Sequence, residues 1–413
     1  MKLREDCDYI VRQALAQVQP DQAVRRALEN RSFDTGRLVL VAAGKAAWSM
    51  AQSAWGSLGR KPDCGIVITK YGHSKGPVGT LEIWEAGHPV PDENTFAATR
   101  RALTLTEGLT QEDTVLFLLS GGGSALFEQP VIPGGELEDI TRQLLASGAD
   151  IVEINTVRKR LSMVKGGRFA QHCAPAKVFS VVLSDIIGDP LDMIASGPAF
   201  PDRSTCQQAL SVAAKYSLKL SPEARAALER ETPKELDNIE TQITGSVREL
   251  CAAAAAACAQ RGYRPVILTD CLTCQAREAG EFLAAIARSH YDTDVPLAFL
   301  AGGETVVQLT GSGKGGRNQE LALSAARGIA GLDRAAVFSV GSDGTDGPTD
   351  AAGGFVTGHT EEALARQDIS IFQTLRENNA YPALDACGGL IMTGPTGTNV
   401  NDVAVVLINA KEN

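Results

Sequence analysis

The chain opens on two stretches, "DYIVRQALAQV" and "DQAVRRALEN", whose apolar residues recur three and four positions apart on either side of Pro20-Asp21. That spacing gathers the apolar side chains on one helical face and predicts two helices over residues 1–30. Beyond them the pattern changes. Short runs of Val, Ile, Leu and Phe return, each ending in a polar or glycine-rich loop: "LVLVAAGK", "GIVITK", "TVLFLLSGGGS", "KVFSVVLSD", "RPVILTD", "PLAFLAGGET", "AAVFSVGSDG" and "VAVVLIN". Near-continuous apolar content suits strands covered on both faces, as in a parallel sheet under helices. Helical stretches lie between them, such as "SVRELCAAAAAACAQRG" with Ser246 as N-cap. The expected class is α/β.

Length predicts two such domains, or three, in a chain of 413 residues. Residues 221–245 are charged, carry two prolines and lack a strand-like run, which places the boundary there. The expected organisation is a larger Rossmann-like domain over 1–235 and a smaller C-terminal domain over 236–413, both with largely parallel sheets. The formal charge of −10 argues against non-specific binding to nucleic acid or to anionic membranes, since phosphate contacts need a positive surface. The charged start "MKLREDCDYIVRQ" has no apolar signal core, and "CAAAAAAC" is too short to span a bilayer. Nine scattered cysteines do not make a disulfide framework, and Cys271-x-x-Cys274 lacks the second pair that a zinc site needs. The expectation is a cytoplasmic protein.

Open parallel sheets hold ligands beyond the C-terminal ends of their strands, so the loops after the apolar runs matter most. Ser120, Gly121, Gly122, Gly123 and Ser124 form a turn whose backbone amides can converge on an anion. Lys45 follows the first strand where a helix should begin, a poor place for a cation unless an anion binds there. Arg158, Lys159 and Arg160 suit a solvated basic face capped by Asn155. The glycines of "KGGR" instead break the helix between Lys165 and Arg168, as a ligand-facing backbone would require. Asp185, Asp189 and Asp192 follow another strand, and carboxylates there can hold Mg²⁺ with phosphate oxygens and water. Glu304, Asp343, Asp346 and Asp350 sit in two further loops of this kind.

"GSGKGGRNQE" reads in two ways. Gly311, Gly313 and Gly316 fit the dinucleotide spacing G-x-G-x-x-G, with "TVVQLT" as the strand before it. Lys314 and Arg317 instead suit a transferring phosphoryl group. The dinucleotide reading needs an acidic residue about 20 positions on, ending the next strand. Asp333 precedes that strand and Asp343 lies too far. No Walker sequence occurs either. The residues therefore point to an α/β enzyme acting on phosphate esters with a metal, by a non-Walker route.

Seven ordered stretches, "LLSGGGSALF", "NTVRKRLSMVKGGR", "LSDIIGDPLDMIASGP", "AGGETVV", "GKGGRNQE", "SDGTDGPTDAAGG" and "TGPTGTNVND", resemble the bacterial class II glycerate 2-kinases of the MOFRL type. The resemblance covers nearly the whole chain. It implies phosphate transfer from ATP to the 2-hydroxyl of D-glycerate, with Mg²⁺, in a cleft between two α/β domains. It assigns catalysis to Lys45 and Arg317. Ser120 to Ser124, Lys165, Arg168, Glu304 and Lys314 would bind the nucleotide and substrate, and Asp189 and Asp343 the metal. One departure is Gln275, where the family usually has a carboxylate. The rival readings are a hydroxypyruvate reductase using a nicotinamide cofactor and a non-catalytic sensor of sugar acids or nucleotides.

Overall fold

The computed structural model describes residues 2–411. Two compact units emerge: Pro20–Thr244, here the N-terminal unit, and Gly245–Asn413 joined by Met1–Gln19, here the C-terminal unit.

The N-terminal unit is built on β1 (Leu38–Ala43), β2 (Cys64–Lys70), β3 (Glu82–Ala86), β4 (Thr114–Leu119), β5 (Lys177–Leu183) and β6 (Ile239–Gly245). Their order is β3-β2-β1-β4-β5-β6, and the first five run parallel. Val39, Val41, Val115 and Phe117 point to one face, packing with Phe127 and Phe169, while Leu38, Leu40, Leu116 and Leu118 meet Met50 and Ala54 on the other. Both faces are dry, which is why these strands read as continuous apolar runs. This strand order is that of a doubly wound sheet, which reverses direction between β1 and β4 and leaves a crevice at their C-terminal ends.

The C-terminal unit holds β7 (Arg264–Leu272), β8 (Leu297–Gly303), β9 (Ala335–Gly341), β10 (Gly353–Thr357), β11 (Leu390–Ile391) and β12 (Asp402–Ile408), in the order β11-β10-β9-β12-β8-β7. Here the parallel arrangement is confined to β7–β8; the other pairings are antiparallel. Helices Ala276–Ser289 and Arg317–Gly328 cover one face, and helices Lys2–Gln17 and Val247–Gln260 the other.

All eight apolar runs are strands, and both N-terminal helices form, as Lys2–Gln17 and Pro20–Leu28. The division differs from the expected one in two respects. It falls at 244/245, because "IETQITG", in the stretch read as lacking a strand, is β6; this edge strand tolerates Glu240 and Gln242 because it is only partly buried. In addition, the first helix joins the C-terminal unit, where Cys7, Ile10, Val11, Ala14, Leu15 and Val18 pack with Val247, Leu250 and Ala254. Among the described residues no helix is long and apolar enough to cross a membrane.

Candidate active site

Five parallel strands bring five loops to one edge of the N-terminal sheet. After β1, Gly44-Lys45 leads into helix Ala47–Ser57, and the Lys45 amide donates to Gly121 O (2.9 Å), tying the β1 and β4 loops across the crevice. After β2 comes His73, whose Nδ1 lies 3.2 Å from Lys45 O, and after β3 comes His88. The β4 loop is Ser120–Ser124. Gly122 has φ 83°, a left-handed conformation that glycine adopts without strain, and Ser120 Oγ accepts from the Ala46 amide (3.0 Å). No hydrogen bond among the described residues engages the amides of Gly121, Gly122 or Ser124, so three donors of this turn are open. A Cβ on Gly122 would sit 3.2 Å from Lys45 Cε and 2.9 Å from His88 Cδ2. Lysine, imidazole and open amides thus surround one glycine, the set of donors that an anion requires.

The β5 loop closes against this turn. A Cβ on Gly121 would strike Asp185 Oδ2 (2.2 Å), and one on Gly123 would strike Ala195 (2.7 Å). Asp189, Ala195 and Ser196 all have positive φ (51°, 50° and 62°), so this segment is held in a strained path, a feature that clusters at functional sites. Asp189 Oδ1 is buried with no hydrogen-bond partner. A shielded carboxylate oxygen lacking a protein donor fits a hard cation such as Mg²⁺, which takes one or two carboxylates and fills its shell with phosphate oxygens and water. Among the described residues no three His, Cys, Asp or Glu gather as a metal-binding group.

The basic stretch that follows is not the solvated face expected. Asp150, not Asn155, caps helix Ile151–Arg160. Lys159 and Arg160 are buried, with Lys159 paired to Asp202 (3.1 Å) and Arg160 donating to Thr156 O, Ser204 and Glu231. Lys165, expected at a ligand, is fully buried: its ammonium pairs with Glu128 (3.0 Å) and donates to Ser124 O and Phe127 O. Burial lowers its pKa to about 8, against the opposing pull of Glu128. Arg168 donates to Arg160 O and Ser162 O. Lys165 thus clamps the chain beneath the glycine turn, and Arg168 ties the end of helix Ile151–Arg160 to the residues after it. The glycines between them serve their own backbone, since Gly166 and Gly167 have φ 59° and 83°.

In the C-terminal unit the antiparallel β12 starts where β8 and β9 end, with Asp402 opposite Gly303 and Gly341. Asp402 therefore meets the loops carrying Glu304 and Asp343. Arg317, first residue of its helix, is held by Asp402 through two hydrogen bonds (2.5 and 3.1 Å) and by Glu304 (2.8 Å). Asn401 donates to the other Glu304 oxygen (3.3 Å). Asp343 and Asp402 converge, each with an Oδ1 3.3 Å from a Cβ placed on Gly341. Burial raises the pKa of Asp402, and Arg317 opposes that rise. Lys314 stands apart from this cluster, its ammonium 4.0 Å from the centroid of the Tyr381 ring.

The geometry also decides between the two readings of "GSGKGG". Residues 305–310 form no strand, only an isolated bridge at Val306. A Cβ on Gly311 or Gly313 would meet Glu377 at 2.5 Å, and one on Gly316 would meet Asp346 at 2.3 Å. The amides of Gly311, Gly313 and Lys314 donate to Asn378, Glu377 and Asn379. At the start of the following helix, the amides of Asn318 and Gln319 are taken by Asp346. These glycines make room for the protein's own chain, and five amides of the loop and the helix start, those of Gly311, Gly313, Lys314, Asn318 and Gln319, are already engaged by it. Burial raises Asp346 to about 6, against its amide hydrogen bonds.

His73, His88 and Asp402 were not foreseen. Each had a signal, since each lies at the ligand edge of a strand, but β3 was not predicted and β12 was not known to run antiparallel.

Two family models match the chain: a domain of unknown function (DUF4147) over residues 6–229 and the MOFRL family over 297–402. A D-glycerate 2-kinase of Thermotoga maritima is 52% identical over 405 residues, covering 97% of each chain. A protein of Agrobacterium vitis with a provisional hydroxypyruvate reductase name is 40% identical, covering 96% of this chain and 92% of its own. A solved glycerate kinase from Thermotoga maritima superposes with a TM-score of 0.94 at 51% identity, over 98% of this chain and 99% of that one.

Proposed function

The chain belongs to the glycerate 2-kinase family of MOFRL type, and on that premise we propose that it transfers the γ-phosphoryl group of ATP to the 2-hydroxyl of D-glycerate. The observation that carries this reading is the anion site at the β1/β4 crevice, where three open amides of the Ser120–Ser124 turn stand beside Lys45. That turn cradles nucleotide phosphates with backbone donors. Lys45 neutralises charge on the phosphoryl group in transfer, where a preorganised cation contributes most. Asp189 would hold Mg²⁺, which supplies charge neutralisation to the phosphates. Arg317, fixed by Asp402 and Glu304, presents a planar cation already oriented for a carboxylate or phosphate. We assign both cations to one reaction, with Asp343 as a further metal or substrate ligand. The reductase reading loses its support at residues 305–319, which lack the preceding strand and whose amides at Gly311, Gly313, Lys314, Asn318 and Gln319 are occupied by the protein itself.

The test is ³¹P NMR of purified protein with D-glycerate and Mg-ATP, beside an NADH plus hydroxypyruvate control. The expected result is 2-phosphoglycerate and ADP, abolished by EDTA, with NADH unconsumed. NADH oxidation without phosphoglycerate would overturn the reading. Lys45→Ala and Arg317→Lys should lower kcat roughly 10³-fold or more while circular dichroism stays unchanged, because each interaction strengthens only as charge moves in the transition state. The lysine at 317 keeps the charge and loses the fork.

A further inference from the structure

We propose that the imidazole of His88 accepts the proton of the attacking substrate hydroxyl, which makes His88 a further catalytic residue of the phosphoryl transfer. The inference rests on the kinase reading above and starts from three observations about one ring. His88 follows β3, at the same sheet edge as Lys45 and the glycine turn. Its ring edge lies over Gly122, where a Cβ would stand 2.9 Å from Cδ2 and 3.0 Å from Nε2, with Lys45 Cε 3.2 Å from the same point. No hydrogen bond among the described residues engages this ring. His73 Nδ1, by contrast, lies near Lys45 O, and His172 Nε2 lies 2.9 Å from Leu103 O. A histidine that served packing or turn formation would be expected to lean on a carbonyl in that way.

The charges around it set its protonation. Burial lowers the His88 pKa, and the neighbouring Lys45, Lys70 and His73 lower it further. The nearby carboxylate of Asp92 is turned to the amides of Gly87 and Thr95 and to the Tyr71 hydroxyl. The ring is therefore neutral at pH 7 and offers a lone pair beside a lysine, an arrangement suited to a general base.

The step balances. The 2-hydroxyl oxygen forms its bond to the γ-phosphorus as the bond from that phosphorus to the bridging oxygen breaks, and ADP leaves with that electron pair. The hydroxyl proton passes to the free ring nitrogen of His88, and the imidazolium then releases it to water. Lys45, on the same glycine, opposes an imidazolium and speeds that release.

The experiment compares wild type with His88→Asn and His88→Gln at pH 5–9, measuring kcat and KM for both substrates and Mg-ATP affinity by calorimetry. We expect kcat at pH 7.5 to fall about 100-fold or more. KM and nucleotide affinity should hold within about threefold, and the acidic limb of the wild-type profile should be absent. Imidazole added to His88→Ala should restore part of the rate. In wild type, ¹⁵N NMR of labelled histidine should show His88 titrating below 6.5, in step with that limb; this arm needs no variant to fold. Variants within about threefold of the wild-type kcat, a retained acidic limb, or a His88 ring protonated at pH 7 would each overturn the assignment. A wild-type protein that makes no 2-phosphoglycerate would instead remove the kinase reading itself.

Discussion

Lys165 and Glu128 form an ion pair with neither side chain exposed, directly beneath the glycine turn. Breaking such a pair by removing one partner leaves an uncompensated buried charge and typically costs about 3–5 kcal/mol, whereas replacing both with apolar or neutral groups is often close to neutral. Lys165→Met and Glu128→Gln should each lower the urea midpoint strongly, and the double variant should recover most of the loss. Equal additive losses would show that the two side chains do not act as a pair. The pH dependence has a definite sign. The folded pKa of Lys165, about 8, lies below its ordinary 10.5, so the unfolded chain binds more protons between those values. Wild type should gain stability relative to Lys165→Met as pH rises from about 8 towards 10.5, and have lost that gain below 8. None of this was legible beforehand. A run of Arg and Lys reads as a solvated face unless its partners are known, and Glu128, Asp202 and Glu231 come from distant segments. Lys45, by contrast, drew notice in the sequence because it follows a strand where a helix begins, a poor place for a cation without an anion to meet it, and Arg317 because it is a cation set in a glycine-rich loop.

At the scale of elements, most apolar runs announced their strands because both sheet faces are buried; β7, an edge strand, was announced by Val266, Ile267 and Leu268 although these stay exposed. The strands that went unseen are those with a wet edge or glycine-rich start: β3, β6, β10 and β11. The site inherited that blindness, since His88 is visible as a site residue only once β3 places it beside Lys45. Glycine-rich loops show the same limit from the other side. "SGGGS" and "GSGKGG" look alike in sequence, yet the first leaves the amides of Gly121, Gly122 and Ser124 open and the second spends those of Gly311, Gly313 and Lys314 on residues 377–379. This difference predicts opposite responses to an added methyl group. Gly311→Ala and Gly313→Ala place a Cβ 2.5 Å from the Glu377 backbone and should destabilise by about 1–3 kcal/mol through overpacking, with loss of melting temperature. Gly135→Ala, in helix Gly134–Ala146 with nothing within 4 Å of the new Cβ, should be neutral or stabilise by up to about 1 kcal/mol. Full stability in the Gly311 and Gly313 variants would reopen the loop as a ligand cradle.

At the scale of the whole chain, sequence order and structural membership part company at the first helix. Lys2–Gln17 precedes the N-terminal unit, yet its apolar face belongs to the C-terminal core. Periodicity announced the helix but could not say which core it would join, because an apolar stripe carries no address and the receiving face on helix Val247–Gln260 lies more than two hundred residues away. The contact is large on the scale of domain stability. Burial of Ile10, Val11, Leu15 and Val18 contributes roughly 1.5–3 kcal/mol each as an upper estimate, so about 6–12 kcal/mol together. A domain typically has only about 5–15 kcal/mol in total. Tyr263 adds a polar tie, donating to Asp6 (2.8 Å), which also accepts from Arg261 (2.6 Å). Deleting residues 1–19 should therefore expose the apolar side of helix Val247–Gln260 and strip the C-terminal unit of most of its stability. Limited proteolysis read by mass spectrometry checks this: new cleavage should concentrate within residues 245–411. Cleavage spread evenly along the chain, or a deletion variant as resistant as the full chain, would show that the first helix is not the part of that core its packing implies.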